Sequence, residues 1–90
     1  MKNLIGGRHL DASNGAVIEI TNPATGKLLD TVPNSTKEDV DLCVKEARKA
    51  QKAWAATPLH ERGRILCKFV DLVEARKEEL AQLLSEETGK

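Results

Sequence analysis

Apolar residues are spaced most regularly in the carboxy-terminal third of the chain, where they recur at steps of three and four. They are Leu59, Leu66, Phe69, Val70, Val73, Leu80, Leu83 and Leu84. This spacing places them along one side of an α-helix. Thr57 can cap that helix, Pro58 suits its first position and Gly89 is a fitting end. The pattern predicts a helical segment over residues 57–88. A bend is expected near residues 75–78, because large apolar residues are missing there.

A second helical pattern lies upstream and has a strong start signal. Ser35 with Glu38, or Thr36 with Asp39, would form a capping box, in which a hydroxyl and a carboxylate satisfy free backbone amides reciprocally. We therefore predict a first helix over residues 35–56. Its apolar face consists of Val40, Cys43, Val44, Ala47, Ala50 or Gln51, and Trp54. Because two amphipathic helices can cover each other, we expect the tryptophan of this face to be buried between them.

The first part of the chain alternates short apolar runs with turn residues, a pattern typical of strands. Residues 3–10 resemble one strand that ends in a turn, and residues 16–21 a second strand paired with it in a β-hairpin. The Asn-Pro pair and the glycine of residues 22–26 predict a turn with the glycine at positive φ. A third strand follows over residues 27–32. The predicted fold class is therefore α+β, with an antiparallel β-hairpin and third strand over residues 4–33 followed by two or three amphipathic helices.

Composition argues against several classes of partner. The 14 Lys and Arg balance the 14 Asp and Glu, and Trp54 and Phe69 are the only aromatic residues. A nucleic-acid binder usually has a basic face with interleaved aromatics, so we expect no nucleic acid. No apolar run approaches the ~20 residues of a membrane span, and no signal-peptide core follows the start. We therefore expect no membrane and a cytoplasmic protein, in which Cys43 and Cys67 are buried small hydrophobes rather than a disulfide.

Few groups in the chain suit catalysis. Gly6-Gly7 lacks the third glycine of a dinucleotide-binding loop, and no phosphate-binding loop is present. His9 and His60 lie in separate elements without other ligands at metal-binding spacing, so solvent-facing positions are expected for both. Cys67 lies inside a helix with no base in view, which favours a structural role over a nucleophilic one. The residues therefore predict no catalytic and no cofactor-binding site.

Several stretches, in order and with conserved spacing between them, resemble a known family. They are Ile20-Thr21-Asn22-Pro23-Ala24-Thr25-Gly26-Lys27, Thr36-Lys37-Glu38-Asp39-Val40-Asp41, Ala47 to Trp54, Pro58 with Glu61-Arg62, Leu66 with Lys68, Asp71-Leu72-Val73-Glu74, and Glu86-Glu87-Thr88-Gly89-Lys90. With these stretches, the chain from Ile5 onward resembles the amino-terminal part of the NAD(P)-dependent aldehyde dehydrogenase superfamily. Chains of that family continue for several hundred residues beyond this point.

The resemblance implies that the chemistry lies in the remaining sequence. In the family, a cysteine attacks the aldehyde, hydride passes to the nicotinamide, and a glutamate activates water to release the acid from a thioester. The groups for these steps are carried downstream, so neither Cys43 nor Cys67 is assigned to them. The resemblance implies NAD or NADP in the parent enzyme and no cofactor for the isolated segment. It also implies a scaffold that packs on an α/β cofactor-binding domain.

One binding feature is also implied by the resemblance. Many family members hold a structural monovalent cation, and the matching positions are the main-chain carbonyls of Ile20 and Thr21 and the carboxylate of Glu87. Carbonyl and carboxylate oxygens are suitable ligands for a hard cation. The alternative, in which Glu87 only caps or solvates the helix end, stays open.

Two hypotheses about function come from different classes. In the first, the chain is the amino-terminal piece of an aldehyde dehydrogenase, inactive alone, and its partner is the rest of that enzyme. In the second, it is a free-standing helical interaction or oligomerisation module that adds its edge strands to a partner sheet. We expect self-association and a homo-oligomer, because Leu80, Leu83 and Leu84 lack a partner within the chain and such patches rarely stay bare.

Overall fold

The computed structural model describes all 90 residues, which form four strands and three helices. In chain order these are β1 (Asn3–Ile5), β2 (Arg8–Leu10), β3 (Val17–Thr21), β4 (Leu28–Pro33), α1 (Lys37–Ala56), α2 (Leu59–Ala75) and α3 (Lys77–Thr88). Two small antiparallel sheets followed by three helices make an α+β segment, as the sequence predicts.

The strands form two separate hairpins. β1 pairs with β2 and β3 pairs with β4, and neither sheet has a third strand. Gly6 and Gly7 have φ of 57° and 75°. Positive φ at both central residues is the requirement of a two-residue type I′ hairpin turn, so the chain reverses within residues 3–10. The predicted pairing of residues 3–10 with residues 16–21 is therefore wrong.

The loop between β3 and β4 is held by its first residue. The main-chain oxygen of Asn22 accepts from the Gly26 amide at 2.7 Å, and its side-chain Oδ1 accepts from the Ala24 amide at 2.8 Å. The asparagine thus makes an Asx turn before the proline. Gly26 closes the loop with φ of 72°, which confirms the positive φ expected there.

Thr36 is the residue that starts α1. Its hydroxyl accepts from the Asp39 amide at 3.3 Å, and the Asp39 carboxylate accepts from the Thr36 amide at 2.8 Å. Of the two predicted capping boxes, the structure therefore forms the one between these residues. Thr57 ends α1 rather than capping α2, because its hydroxyl donates back to the Ala53 carbonyl at 2.8 Å. α2 begins after Pro58 with no side-chain cap.

The carboxy-terminal helical segment is divided at one residue. Arg76, with φ of −113° and ψ of 18°, separates α2 from α3 and lies within the stretch where the apolar stripe thins. Gly89 ends α3 in the left-handed conformation, with φ of 72°. A glycine at this position is a common helix stop because it has no Cβ to clash.

The chain is a thin layer with almost no core of its own. Only Ile5 and Ala12 are buried, at 7% and 5% exposure. The radius of gyration is 16.8 Å and the shortest dimension is 15 Å, whereas a compact chain of this length has a radius of roughly 12 Å. Stable domains need a second layer to cover their apolar faces. In this chain that layer is absent.

Two expectations about burial fail for this reason. Trp54 is 37% exposed and the helices do not pack face to face, so the tryptophan is not buried between them. Cys43 and Cys67 are exposed free thiols rather than buried small hydrophobes. In each case the helical pattern identifies the apolar side correctly, but the chain does not bury that side: the first hairpin lies beside Cys43 and leaves it exposed, and Trp54 and Cys67 are exposed as well.

Candidate functional site

Most of the exposed large apolar side chains lie on the three helices. No helix carries a buried residue. We define the α2–α3 stripe as the exposed residues Leu59, Leu66, Phe69, Val70, Val73, Leu80, Leu83 and Leu84. Apolar patches of this extent on a soluble chain mark sites of interaction with other protein. The site that the fold builds is therefore a docking surface.

A carboxylate at the start of α1 ties distant parts of the chain together. Asp39 accepts from the Ser13 amide at 3.1 Å as well as from the Thr36 amide, and the Ser13 and Thr36 hydroxyls lie 2.9 Å apart. Hydrogen bonds from the backbone amides of Thr36 and Ser13 hold the pKa of Asp39 below its usual value. The capping signal identifies Thr36 in the sequence, but nothing in the sequence identifies Ser13. This cluster fixes the loop before β3 on the helix start.

An open groove of about 480 Å³ lies between the first hairpin and α1. Gly6 borders it, and a Cβ added there would lie 3.2 Å from the Glu46 carboxylate oxygen. The charged groups of the groove are Glu46 and Lys49, whose Oε2 and Nζ lie 3.9 Å apart. Cys43 also lines it, without a histidine among the lining residues. A nucleophile without a base does not make a catalytic site.

The end of α3 meets the loop that follows β3. A Cβ added to Gly89 would lie 2.8 Å from Pro23 Cγ, so the glycine permits a close approach of helix end and loop. Ile20 and Thr21 are the last residues of β3, and Glu87 belongs to the last turn of α3. The elements that carry the three residues of the expected cation site therefore converge on one corner of the molecule.

Ionisable side chains elsewhere do not converge on a site. His9 and His60 are exposed, as expected, and His60 Nε2 lies 3.8 Å from its neighbour Glu61. No group of three His, Cys, Asp or Glu side chains is arranged to hold a metal ion. No helix has the length and apolar composition that crossing a membrane requires.

Comparisons with known proteins agree with this geometry. A model of the aldehyde dehydrogenase family matches residues 9–90. Malonate-semialdehyde dehydrogenase 1 of Geobacillus kaustophilus is 46% identical over 90 residues, which are all of this chain and 18% of the relative. A solved structure of PnpE in complex with nicotinamide adenine dinucleotide is 42% identical, with a TM-score of 0.93 over 98% of this chain and 18% of that chain.

A second solved structure gives a closer geometric match. It is that of an NADP-dependent enzyme of E. coli, with a TM-score of 0.97 and 37% identity over 99% of this chain and 18% of that chain. The chain belongs to the aldehyde dehydrogenase family. It matches the amino-terminal part of an aldehyde dehydrogenase. The chain spans about 18% of the length of the relatives that it matches.

Proposed function

We propose that this chain is the amino-terminal scaffold of an NAD(P)-dependent aldehyde dehydrogenase, the whole of which oxidises an aldehyde to a carboxylic acid. The family match over residues 9–90 carries the proposal. In this assignment the remaining chain supplies the nucleophile, the water-activating carboxylate and the dinucleotide site. The 90 residues contribute strands and helices that support the cofactor-binding part.

The shape of the chain supports a scaffold role. A layer 15 Å thick with two buried residues leaves one side of each helix without cover. The rest of a family-length chain would supply that cover, and burying apolar area at about 25 cal/mol per Å² would stabilise the helices.

A short semialdehyde that also carries a carboxylate is the substrate class we propose for the whole enzyme. The support comes from relatives: the Geobacillus protein is named a malonate-semialdehyde dehydrogenase, and so is a protein of Halalkalibacterium halodurans that is 42% identical over 90 residues. Nicotinamide dinucleotide is the cofactor we propose, because the neighbouring structures include one complex with NAD and one enzyme described as NADP-dependent.

Activity of the whole reading frame tests this proposal. The complete protein encoded by the gene, incubated with malonate semialdehyde and NAD or NADP, is expected to form reduced nicotinamide, while residues 1–90 alone form none. A double variant of the complete protein, Cys43→Ser with Cys67→Ser, is the matched control and is expected to keep its turnover. A reading frame that ends at Lys90, or turnover that disappears in the folded double variant, would contradict the proposal.

We also propose that the corner where β3 meets the end of α3 holds a monovalent cation in the whole enzyme. Main-chain carbonyls of Ile20 and Thr21 and the Glu87 carboxylate would be its ligands from this chain. The residues fit such an ion, since Glu87 makes no ion pair within the chain and carbonyl and carboxylate oxygens are the ligands that hard cations take.

Thermal unfolding tests the cation site without a catalytic assay. The melting temperature of the complete enzyme is expected to be higher in sodium or potassium chloride than in choline chloride. Glu87→Gln should remove this difference, and Glu78→Gln, which changes a glutamate at the start of α3, should keep it. Equal melting temperatures in all three salts would exclude the site.

The proposed setting of the enzyme is the cytoplasm, where it forms a homo-oligomer. Two exposed free thiols support a reducing compartment, because exposed cysteines in oxidising compartments tend to form disulfides. Fractionation of cells followed by mass measurement of the enzyme tests both statements. Recovery outside the cytoplasm, or as a strict monomer, would contradict them.

A further inference from the structure

Arg62, in the first turn of α2, is the one arginine of the chain that is not fully exposed. Its Nε is buried and has no hydrogen-bond partner. The side-chain hydrogen bonds and ion pairs of the helical segment also leave out the other nitrogens of its guanidinium. Buried donors are nearly always paired in folded proteins, and leaving one unpaired is unfavourable. We therefore expect this side chain to meet an acceptor that the 90 residues do not supply.

The carboxylates of α2 cannot supply that acceptor. Glu61 precedes Arg62 directly, so the two side chains point to different sides of the helix. The Glu61 carboxylate accepts instead from Arg64 Nη2 at 2.6 Å. Asp71 and Glu74 follow Arg62 by more than two helical turns. No carboxylate of the chain forms an ion pair with Arg62.

Arg62 lies on the side of α2 that carries the α2–α3 stripe. Leu59 precedes it by three residues and Leu66 follows it by four, and residues at these spacings are neighbours on one helix face. Leu59 is 77% exposed and Leu66 is 56% exposed. A surface that covers these leucines also removes the guanidinium from water, which is costly unless an opposite charge arrives with that surface.

We propose that Arg62 is the polar anchor of the α2–α3 stripe, and that a carboxylate of the remaining dehydrogenase chain binds its guanidinium when that chain covers α2. This inference rests on the proposed function in one respect, the existence of that remaining chain. The chain spans 18% of the length of its relatives, so the covering segment lies in the other part of a family-length protein. A carboxylate fits because its two oxygens match the planar fork of a guanidinium and neutralise its charge.

Thermal unfolding of the complete protein, without added dinucleotide, tests the anchor. Arg62→Gln is expected to lower the melting temperature by about 3 °C or more, because it leaves the partner carboxylate buried and unpaired. Arginine and glutamine have similar helix propensities, so loss of helix does not explain such a shift. Arg62→Lys, which keeps the charge but not the fork, is expected to lose less than half as much.

Arg64→Gln is the matched control for this experiment. It makes the same substitution in the same helix, at a side chain that is 76% exposed, and it breaks the ion pair with Glu61. Exposed pairs contribute little, so the melting temperature is expected to change by less than about 1 °C. The larger effect is thus expected at the arginine that has no partner within these 90 residues.

The pH dependence of the loss identifies the acceptor. A carboxylate left unpaired by Arg62→Gln has a raised pKa in the folded variant, because burial disfavours its charged form. Its ionisation destabilises the variant at about pH 8, and protonation relieves this as the pH falls towards about 5. The difference from the unsubstituted enzyme should therefore shrink by half or more over this range. His60 and Glu61 are present in both proteins, so their contributions cancel.

Three results would overturn the proposal. They are equal shifts for Arg62→Gln and Arg64→Gln, a difference that stays constant with pH, as a main-chain carbonyl acceptor predicts, and a loss that appears only when NADP is added, as a phosphate acceptor predicts. Failure of the proposed function is visible separately. A complete protein without semialdehyde turnover would contradict the dehydrogenase assignment, whereas the melting-temperature comparison does not use turnover.

Discussion

The strand-containing half of the chain and its carboxy-terminal helices are held in different ways. Side chains bond distant positions in the first half: Asn3 Nδ2 donates to Ser35 Oγ at 2.7 Å, and the Ser13 amide donates to Asp39. In α2 and α3 every side-chain hydrogen bond spans five residues or fewer. The first half is therefore joined by side-chain hydrogen bonds between distant residues, whereas the side-chain hydrogen bonds of α2 and α3 are all local.

The two halves of the chain therefore depend on different contacts for their stability. The hairpins and the start of α1 are positioned by contacts that the chain makes with itself, including the two buried residues Ile5 and Ala12. The helices carry most of the exposed large apolar side chains. Isolated helices are marginal in water, and their stability in proteins comes mainly from packing an apolar face. We therefore infer that α2 and α3 depend on protein outside themselves.

The largest contrast between the two halves is expected from truncating one aliphatic side chain in each. Ile5→Ala should lower the free energy of unfolding by about 2–4 kcal/mol, because it removes a side chain that is 7% exposed. Leu66→Ala should change it by less than about 0.5 kcal/mol in the dilute monomer, since exposed substitutions are nearly neutral. Urea unfolding followed by circular dichroism measures both. Similar losses for the two variants would contradict the contrast.

A smaller effect is expected where α3 meets the first half. Gly89 and Gly26 share φ of 72°, but a Cβ on Gly89 would lie 2.8 Å from Pro23 Cγ, while a Cβ on Gly26 would meet nothing within 4 Å. Gly26→Ala should cost about 1 kcal/mol for the left-handed backbone alone. Gly89→Ala should also displace the loop, which the amide NMR shift of Ala24 reports. An unmoved Ala24 signal in the Gly89 variant would show that the contact is not formed in solution.

The smallest effect expected is a change in acid sensitivity. The folded pKa of Asp39 lies below the usual value of an aspartate because the Thr36 and Ser13 amides donate hydrogen bonds to the carboxylate. The stabilisation that the ionised Asp39 gives to the folded state is therefore fully present above pH ~4 and is lost as the pH falls through the folded pKa. Asp39→Asn should make the free energy of unfolding less dependent on pH in the acid range. Unfolding measured between about pH 2 and 6 checks this, because carboxyl groups titrate there.

Asp41→Asn is the matched control for the acid experiment. It lies on the same helix and removes only an exposed pair with Lys37, at 2.8 Å. Exposed pairs of this kind contribute little. Asp41→Asn should keep the acid sensitivity of the unsubstituted chain. If its stability also became less dependent on pH, Asp39 would not be the group responsible.

Local signals in the sequence predicted local structure well. Three correct predictions each depend on residues within a few positions of one another. They are the capping box between Thr36 and Asp39, the positive φ of Gly26 and the end of α3 at Gly89. The Gly6-Gly7 pair carried an equally local signal for a two-residue turn. Residues 3–10 were nevertheless predicted as one strand that ends in a turn, so the reversal was placed after residue 10 and not at the two glycines.

Contacts between distant residues could not be predicted from spacing. Nothing in the sequence pairs Ser13 with Asp39 or Gly89 with Pro23, because neither contact leaves a periodic pattern. The expected burial of Trp54 failed for a related reason. An apolar stripe specifies which side of a helix is to be covered, but it carries no information on whether the covering surface belongs to the same chain.

Amide hydrogen exchange tests most directly the claim that the two halves differ in self-sufficiency. It should be measured on the 90-residue chain at a concentration low enough for a monomer, and on the same residues within the complete enzyme. We expect residues 17–21 and 28–33 to be protected in both, and residues 59–88 to be protected only in the complete enzyme. Equal and strong protection of residues 59–88 in the dilute monomer would contradict the account.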